Sequence, residues 1–299
     1  MERIILDTDI GSDIDDSFAL TYLLNNDACE IVGISTCTGE ARKRAQLCDY
    51  FTKKAKKNKI EICVGSDDPL KLANKQTINH QPECPQAAVL TKYDVASKEY
   101  QTNPAKFLRE YIMNVDGDVT VVAIGPLTNI ALAITEFPEI ISKLKRLVLM
   151  GGKIDTSESK KGLVDWNFIC DPQAAEIVLS APFKEVVIYP CDVTYSLNHS
   201  KAYMHENLKG KYSDIIKDMA DIWFERFNEY SYHDPMAAMY VFHPEMVNGE
   251  RGKLSVDLKK CSSDLGMTSW QSRENGNHFI VTSIKKDEFL EELYATINR

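Results

Sequence analysis

Short apolar runs recur along the chain at Ile4–Leu6, Ile31–Ser35, Ile60–Val64, Val119–Ile124, Leu147–Met150 and Val186–Tyr189, with longer mixed segments between them. Near-continuous apolar runs spaced by helix-length segments predict a mostly parallel sheet buried under helices on both faces. The expected fold is α/β with a Rossmann-like central sheet. The intervening pattern changes from runs to sectors. Asp15–Leu24 gathers Phe18, Ala19, Tyr22 and Leu23 on one face, and Pro104–Met113 and Leu127–Ile134 show similar spacing. Toward the C-terminus the spacing predicts a long amphipathic helix over Ser213–Glu229, a strand at His278–Ser283 and a closing helix at Glu288–Ile297.

No Pro/Gly/Ser-rich linker, charge block or internal repeat interrupts this rhythm, so residues 1–299 read as a single domain. The stretch Lys71–Lys92, rich in Asn, Gln, Pro and Thr, reads as a surface loop beside a site.

Composition narrows the class. Hydrophobic residues make up 44% and charged residues 26%, a globular balance, and the net charge of −9 lacks the basic footprint that a nucleic-acid partner requires. The eight cysteines contain no CxxC pair and several sit in apolar runs such as Glu61–Gly65, as reduced buried thiols do. No apolar segment precedes the first aspartates, and none approaches the roughly 18 residues of a membrane span. These features predict a cytoplasmic protein with no membrane partner.

Candidate chemistry is concentrated just after the first predicted strand. Asp7, Asp9, Asp13, Asp15 and Asp16 place five carboxylates within ten positions, at the strand end where open α/β sheets bind ligands. Capping and the helix dipole account for one or two acidic residues there, not five. Carboxylates this close either share protons or hold a cation, and hard oxygen donors favour Ca²⁺ or Mg²⁺. An EF-hand does not fit: with Asp7 as the first position, the fifth is Gly11 and the twelfth is Phe18. A Mg²⁺-dependent aspartyl phosphatase of the haloacid dehalogenase type also opens with a strand and Asp-x-Asp. It usually carries Thr or Val where this chain has Gly11, and its later acidic pair is not evident.

Three further segments give the loop a context. They are Ala123-Ile-Gly-Pro-Leu-Thr-Asn-Ile-Ala131, Met150-Gly-Gly152 followed by Asp165-Trp-Asn-Phe-Ile-Cys-Asp-Pro172, and Tyr230-Ser-Tyr-His-Asp-Pro235. In this order and spacing, the chain resembles the inosine-uridine-preferring nucleoside hydrolase family from Ile4 to at least Pro235, with two extra residues before the Asp15-Asp16 pair.

That resemblance implies a hydrolase that cleaves the N-glycosidic bond of ribonucleosides or a related N-riboside, releasing free base and ribose. It implies Ca²⁺ held by Asp9, Asp16, Asp234 and the Ile124 carbonyl, with Asp15 as the base acting on a water at the ion. Asp7 and Asp13 would support the loop. Met150, Asp165 and Asn167 would contact the substrate, the last two at ribose hydroxyls, with Asp171 capping the next helix. His233 would face the leaving base, aided by Tyr230 or Tyr232 in a flap. A role in purine or pyrimidine salvage and a homo-oligomer, dimer or tetramer, are also implied.

The chain departs from the family pattern at Glu40 and Ser159, where Asn is common, and at Asp165, where Glu is common; His80 lies near the expected base-binding loop. These departures bear on the substrate more than on the chemistry. They also make a non-catalytic nucleoside or ribose sensor the alternative outside enzymology.

Overall fold

The computed structural model describes residues 1–70, 83–93, 99–115, 118–154, 164–258 and 265–299. Ser159, His80 and the first part of the predicted Lys71–Lys92 loop lie outside the described residues.

The first six predicted strands form as β1 (Glu2–Thr8), β2 (Cys29–Thr36), β3 (Glu61–Val64), β4 (Val119–Ala123), β5 (Leu144–Met150) and β6 (Val186–Tyr189). They pair in parallel, in the order β3-β2-β1-β4-β5-β6. Their interior residues are buried almost throughout because helices cover both faces, which explains their apolar runs. Strand order reverses between β1 and β4, and a crevice at the carboxyl ends of these two strands is the expected ligand position.

The sheet continues past β6 through the parallel strand β11 (His278–Ile284) to β9 (Val247–Val256) and β10 (Thr268–Ser272), both antiparallel, making nine strands among the described residues. A separate two-stranded ribbon pairs β7 (Asn198–Ser200) with β8 (Glu229–Ser231).

Helix α1 (Asp15–Asn25) is buried along its whole length rather than on one face. It packs against β2, the helix α11 (His233–Tyr240) and the closing helix α12 (Lys286–Ile297), so no side of it meets solvent. Helix α3 (Pro104–Met113) starts and ends as its spacing predicts, with Asn103 accepting the Lys106 backbone N–H as its cap.

The long C-terminal helix is shorter than expected. Helix α10 runs from Ser213 to Trp223 only. Beyond it, residues 225–229 are all exposed and give a helix no face to bury, and the chain turns into β8 with the Trp223 indole N–H donating to the Glu229 carbonyl at 2.9 Å. The second half of the predicted surface loop also departs from expectation. Pro85–Lys92 forms a 3-10 helix that buries Gln86 and Val89 and packs against α10.

Candidate active site

Two helix N-termini meet at the carboxyl edge of the sheet. The first turn of α1 carries Asp15 and Asp16, and the first turn of α11 carries His233 and Asp234. Asp15 Oδ2 accepts the backbone N–H of Asp234 at 3.0 Å. Both helix dipoles place partial positive charge where these carboxyls lie. One carboxylate oxygen each from Asp15, Asp16 and Asp234 falls within 4.8 Å of the others, and all three residues are buried.

The remaining acidic residues surround this trio. Asp9 follows β1 directly and is 5% exposed. Gly125, just after β4, lets the chains close on it, since a Cβ there would lie 2.7 Å from Cys37 Sγ and 3.0 Å from the Asp9 nitrogen. Asp16 Oδ1 accepts the Thr8 hydroxyl at 2.5 Å. Asp7 lies beneath, within β1; its Oδ1 accepts the Asn129 amide at 2.8 Å and the Ser35 hydroxyl. Asp13 lines the cavity above.

Burial pushes every one of these carboxyls above the ordinary range. Asp7 and Asp13 rise to about 7, while Asp9, Asp15, Asp16 and Asp234 are raised, with neighbouring carboxylates adding to burial for the last three. The Arg44 guanidinium works against this at Asp9 and Asp16. Three converging buried oxygens that cannot all ionise in isolation are a fitting donor set for a hard divalent cation.

Above the floor opens a cavity of about 510 Å³. Of the residues singled out in the sequence, Asp9, Asp13, Asp15, Asp16, Ile124, Met150, Asp165, Asn167, His233 and Asp234 all line it. Asn167 Nδ2 donates to the carbonyls of Ile124 at 2.9 Å and Met150 at 3.2 Å, bridging the ends of β4 and β5. The Ile124 carbonyl keeps a second lone pair for another partner. Asp165 caps a short helix, Trp166–Cys170, by accepting the Phe168 N–H at 3.0 Å, while its Oδ2 accepts the Cys191 thiol at 3.6 Å. Burial raises its carboxyl to about 6. Asp171 caps the following helix, accepting the Ala174 N–H at 2.9 Å.

His233 Nδ1 lies 2.6 Å from the Thr194 hydroxyl, and burial lowers its imidazole to about 4. The ring is therefore neutral near pH 7 and acts there through hydrogen bonding.

Tyr230 and Tyr232 are not in a flap over the cavity. Their hydroxyls lie 2.5 Å apart and each meets the Tyr294 hydroxyl, at 2.9 and 3.0 Å. Both rings pack on Phe18 inside the core, because β8 is held by β7 and turns these side chains toward α1 and α12. The aromatic wall of the cavity comes instead from Trp166, Tyr195, Trp223 and Phe227, with Arg226 beside them. Trp166, Tyr195 and Phe227 are 48%, 62% and 48% exposed. Large apolar side chains left open to solvent around one cavity mark a ligand surface. Trp223 and Phe227 stack at 4.0 Å, and Tyr195 meets His233 edge-on at 4.8 Å. Sequence reasoning missed this wall, and the only signal for it was the four-residue interval between Trp223 and Phe227.

A doubly wound sheet with a buried acidic floor and an aromatic mouth at its switch point defines an α/β enzyme acting on a small molecule with both polar and flat apolar parts. The sequence pattern of the inosine-uridine preferring nucleoside hydrolases matches residues 4–291, and the chain belongs to that family. It is 27% identical over 286 residues to a probable uridine nucleosidase 1 of Oryza sativa subsp. japonica, covering 91% of this chain and 87% of that one. It is 28% identical over 293 residues to uridine nucleosidase 1 of Arabidopsis thaliana, covering 93% and 85%. A solved plant nucleoside hydrolase, the PpNRh1 enzyme, shares the fold with a TM-score of 0.80 at 18% identity over 99% of both chains.

Proposed function

We propose that this nucleoside hydrolase cleaves the N-glycosidic bond of ribonucleosides with Asp15 as the general base and Ca²⁺ at the acidic floor. Asp9, Asp16, Asp234 and the Ile124 carbonyl are the ligands in this reading, and Asp15, although it is one of the three converging carboxyls, serves as the base and not as a ligand. When bound, calcium supplies positive charge that favours ionisation of the attacking water and draws in ribose hydroxyls. The observation that carries the reading is the convergence of Asp15, Asp16 and Asp234 within 4.8 Å beneath an aromatic-walled cavity.

The residues divide the reaction among themselves. Asp15, held by the Asp234 N–H, takes a proton from the attacking water. The carboxylates of the floor favour the positive charge that develops on the sugar as the bond to the base breaks. Asn167 fixes the ends of β4 and β5 beneath the ribose, and Asp165 borders the sugar from the Trp166–Cys170 helix. The aromatic wall holds the base, replacing the role first expected of Tyr230 and Tyr232. In this reading the Thr194 hydroxyl donates to His233 Nδ1, 2.6 Å away, so that the other ring nitrogen carries the hydrogen offered to the departing base.

The continuous nine-stranded sheet supports reading residues 1–299 as a single domain. Seven free, buried cysteines among the described residues support a reducing, cytoplasmic setting, and among those residues no helix is long and apolar enough to cross a membrane. Family resemblance supports a homo-oligomer, dimer or tetramer, and a place in nucleoside salvage.

The test is a panel of purine, pyrimidine and nicotinamide ribosides, uridine included, scored for free ribose with and without added calcium and for phosphate release from monoesters. Calcium-dependent ribose release is expected. Phosphate release without ribose release would favour the phosphatase alternative, and nucleoside binding without turnover the sensor.

A further inference from the structure

Helix α2 (Ala41–Lys54) opens with the sequence Ala41-Arg-Lys-Arg-Ala-Gln46, which reads as a solvated basic face. Yet the Arg44 side chain is completely buried beside the acidic turn. A guanidinium cannot shed its proton, so it is tolerated inside a protein only where its donors are met.

The donors of Arg44 reach two different turns, and Nη2 also reaches the Glu83 carbonyl at 3.5 Å. Nη1 donates to the carbonyls of Asp9 and Ile10, the second at 3.2 Å, and to Ser12 Oγ at 2.9 Å. Nε donates to the carbonyls of Thr38 at 2.7 Å and Gly39 at 2.9 Å. The first turn carries the acidic floor; the second joins β2 to α2 and contributes no residue to the cavity lining.

That second turn is strained. Thr38, Gly39 and Glu40 have φ of 65°, 38° and 59°, three successive residues in the left-handed region, one of them β-branched. Such backbone persists only where its surroundings hold it, and strain of this kind gathers at functional sites. Glu40, one of the departures from the family pattern, adds a third attachment. Its Oε2 accepts the Cys84 N–H at 2.7 Å, which ties down the segment that brings Glu83 and Pro85 to the cavity mouth.

We infer that Arg44 is a positioning residue for the cation site, a buried fork that joins the Asp9 turn to the Thr38–Glu40 turn so that a segment supplying no ligand sets the affinity for the ion. The inference rests on the reading of the acidic floor as a calcium site. The charge of Arg44 acts in two opposing directions, repelling a second cation while favouring ionisation of Asp9 and Asp16, so its removal alone does not separate charge from geometry. Lysine separates the two, because it keeps the charge but offers one nitrogen in place of a planar fork: a role through charge predicts full calcium affinity in that variant, a role through geometry predicts weaker binding.

The experiment is calorimetric titration of calcium into the chelator-treated wild-type protein, Arg44→Lys and Arg44→Met, each shown to be folded by circular dichroism. Both variants are expected to bind calcium about 10- to 100-fold more weakly than wild type, the usual range for a lost supporting contact. Unchanged or tighter binding by Arg44→Met, or full affinity in Arg44→Lys, would overturn the inference. Should neither variant fold, amide hydrogen exchange of the wild-type protein decides. Calcium is expected to slow exchange at Thr38–Glu40 as well as in the acidic turn, and protection confined to the acidic turn and Asp234 would overturn the coupling. A wild-type protein that takes up no calcium would instead remove the metal reading itself, and the inference with it.

Discussion

The Asp15 carboxylate accepts a hydrogen bond from the backbone N–H of Asp234, 219 residues further along the chain and 3.0 Å away. The contact fixes the proposed base and a proposed metal ligand relative to each other, and it spends one oxygen of Asp15 on an orientation rather than on substrate. It also gives the assignment a sharp consequence. Asp15→Asn is expected to fold and to keep most of its calcium affinity while losing about 10²- to 10⁴-fold in kcat. Ribose release and calcium titration, measured on the same sample, check this. A large loss of calcium affinity would make Asp15 a ligand instead, and a near-normal kcat would remove it as the base.

The metal-free protein is expected to lose stability as pH rises. Asp7 and Asp13 have folded-state values raised from 3.8 to about 7, so the folded chain binds their protons more tightly than the unfolded chain does. Their favourable contribution is complete below about pH 4 and is lost as pH rises through 7. After chelation the melting temperature should fall between pH 5 and pH 8, and calcium should raise it more at pH 8 than at pH 5. A melting temperature that climbs over that interval without metal would contradict the account.

His233 is expected to matter most for bases that leave poorly. In the proposed reading its neutral ring, 2.6 Å from the Thr194 hydroxyl, donates a hydrogen bond to the departing base. His233→Ala should slow ribosides of unactivated bases far more than 4-nitrophenyl riboside, whose leaving group needs no proton. Thr194→Val should show the same ordering at smaller amplitude. Equal effects on both substrates would end the leaving-group role.

Tyr195 is 62% exposed and meets His233 edge-on, so its removal costs the fold little. Loss of one stacking face for a base is worth about 1 to 3 kcal/mol. Tyr195→Ala should therefore raise KM roughly 5- to 150-fold, with the melting temperature unchanged. Unchanged KM across purine and pyrimidine ribosides would place the base elsewhere in the cavity.

The parts of the fold that could be read from the sequence are those where burial forces a pattern. Strands β1 to β6 are covered on both faces, and their runs of Ile, Val and Leu announce them. Strand β9 contains Gly249, Glu250, Arg251 and Gly252 and is half exposed, so neither an apolar run nor a clean alternation reveals it. The floor was legible because five aspartates in ten positions have few structural uses. The wall was not, since whether Tyr195 or Tyr232 reaches the cavity depends on the β7–β8 ribbon, a pairing of residues about thirty apart with three residues in each strand. Arg44 was hidden for the opposite reason: its neighbours Arg42 and Lys43 are exposed, and only the approach of two turns takes Arg44 inside.

The exposed mouth and the buried floor answer to different constraints. A change at Asp16 or Asp234 disturbs packed helices and several carboxyls at once, whereas Trp166, Tyr195 and Phe227 stand about half in solvent, where substitutions disturb the fold less. Selection can therefore re-line the entrance in small steps while the bond-breaking apparatus stays intact. A scaffold divided in this way can acquire a new preferred base without first passing through an unfolded or inactive ancestor.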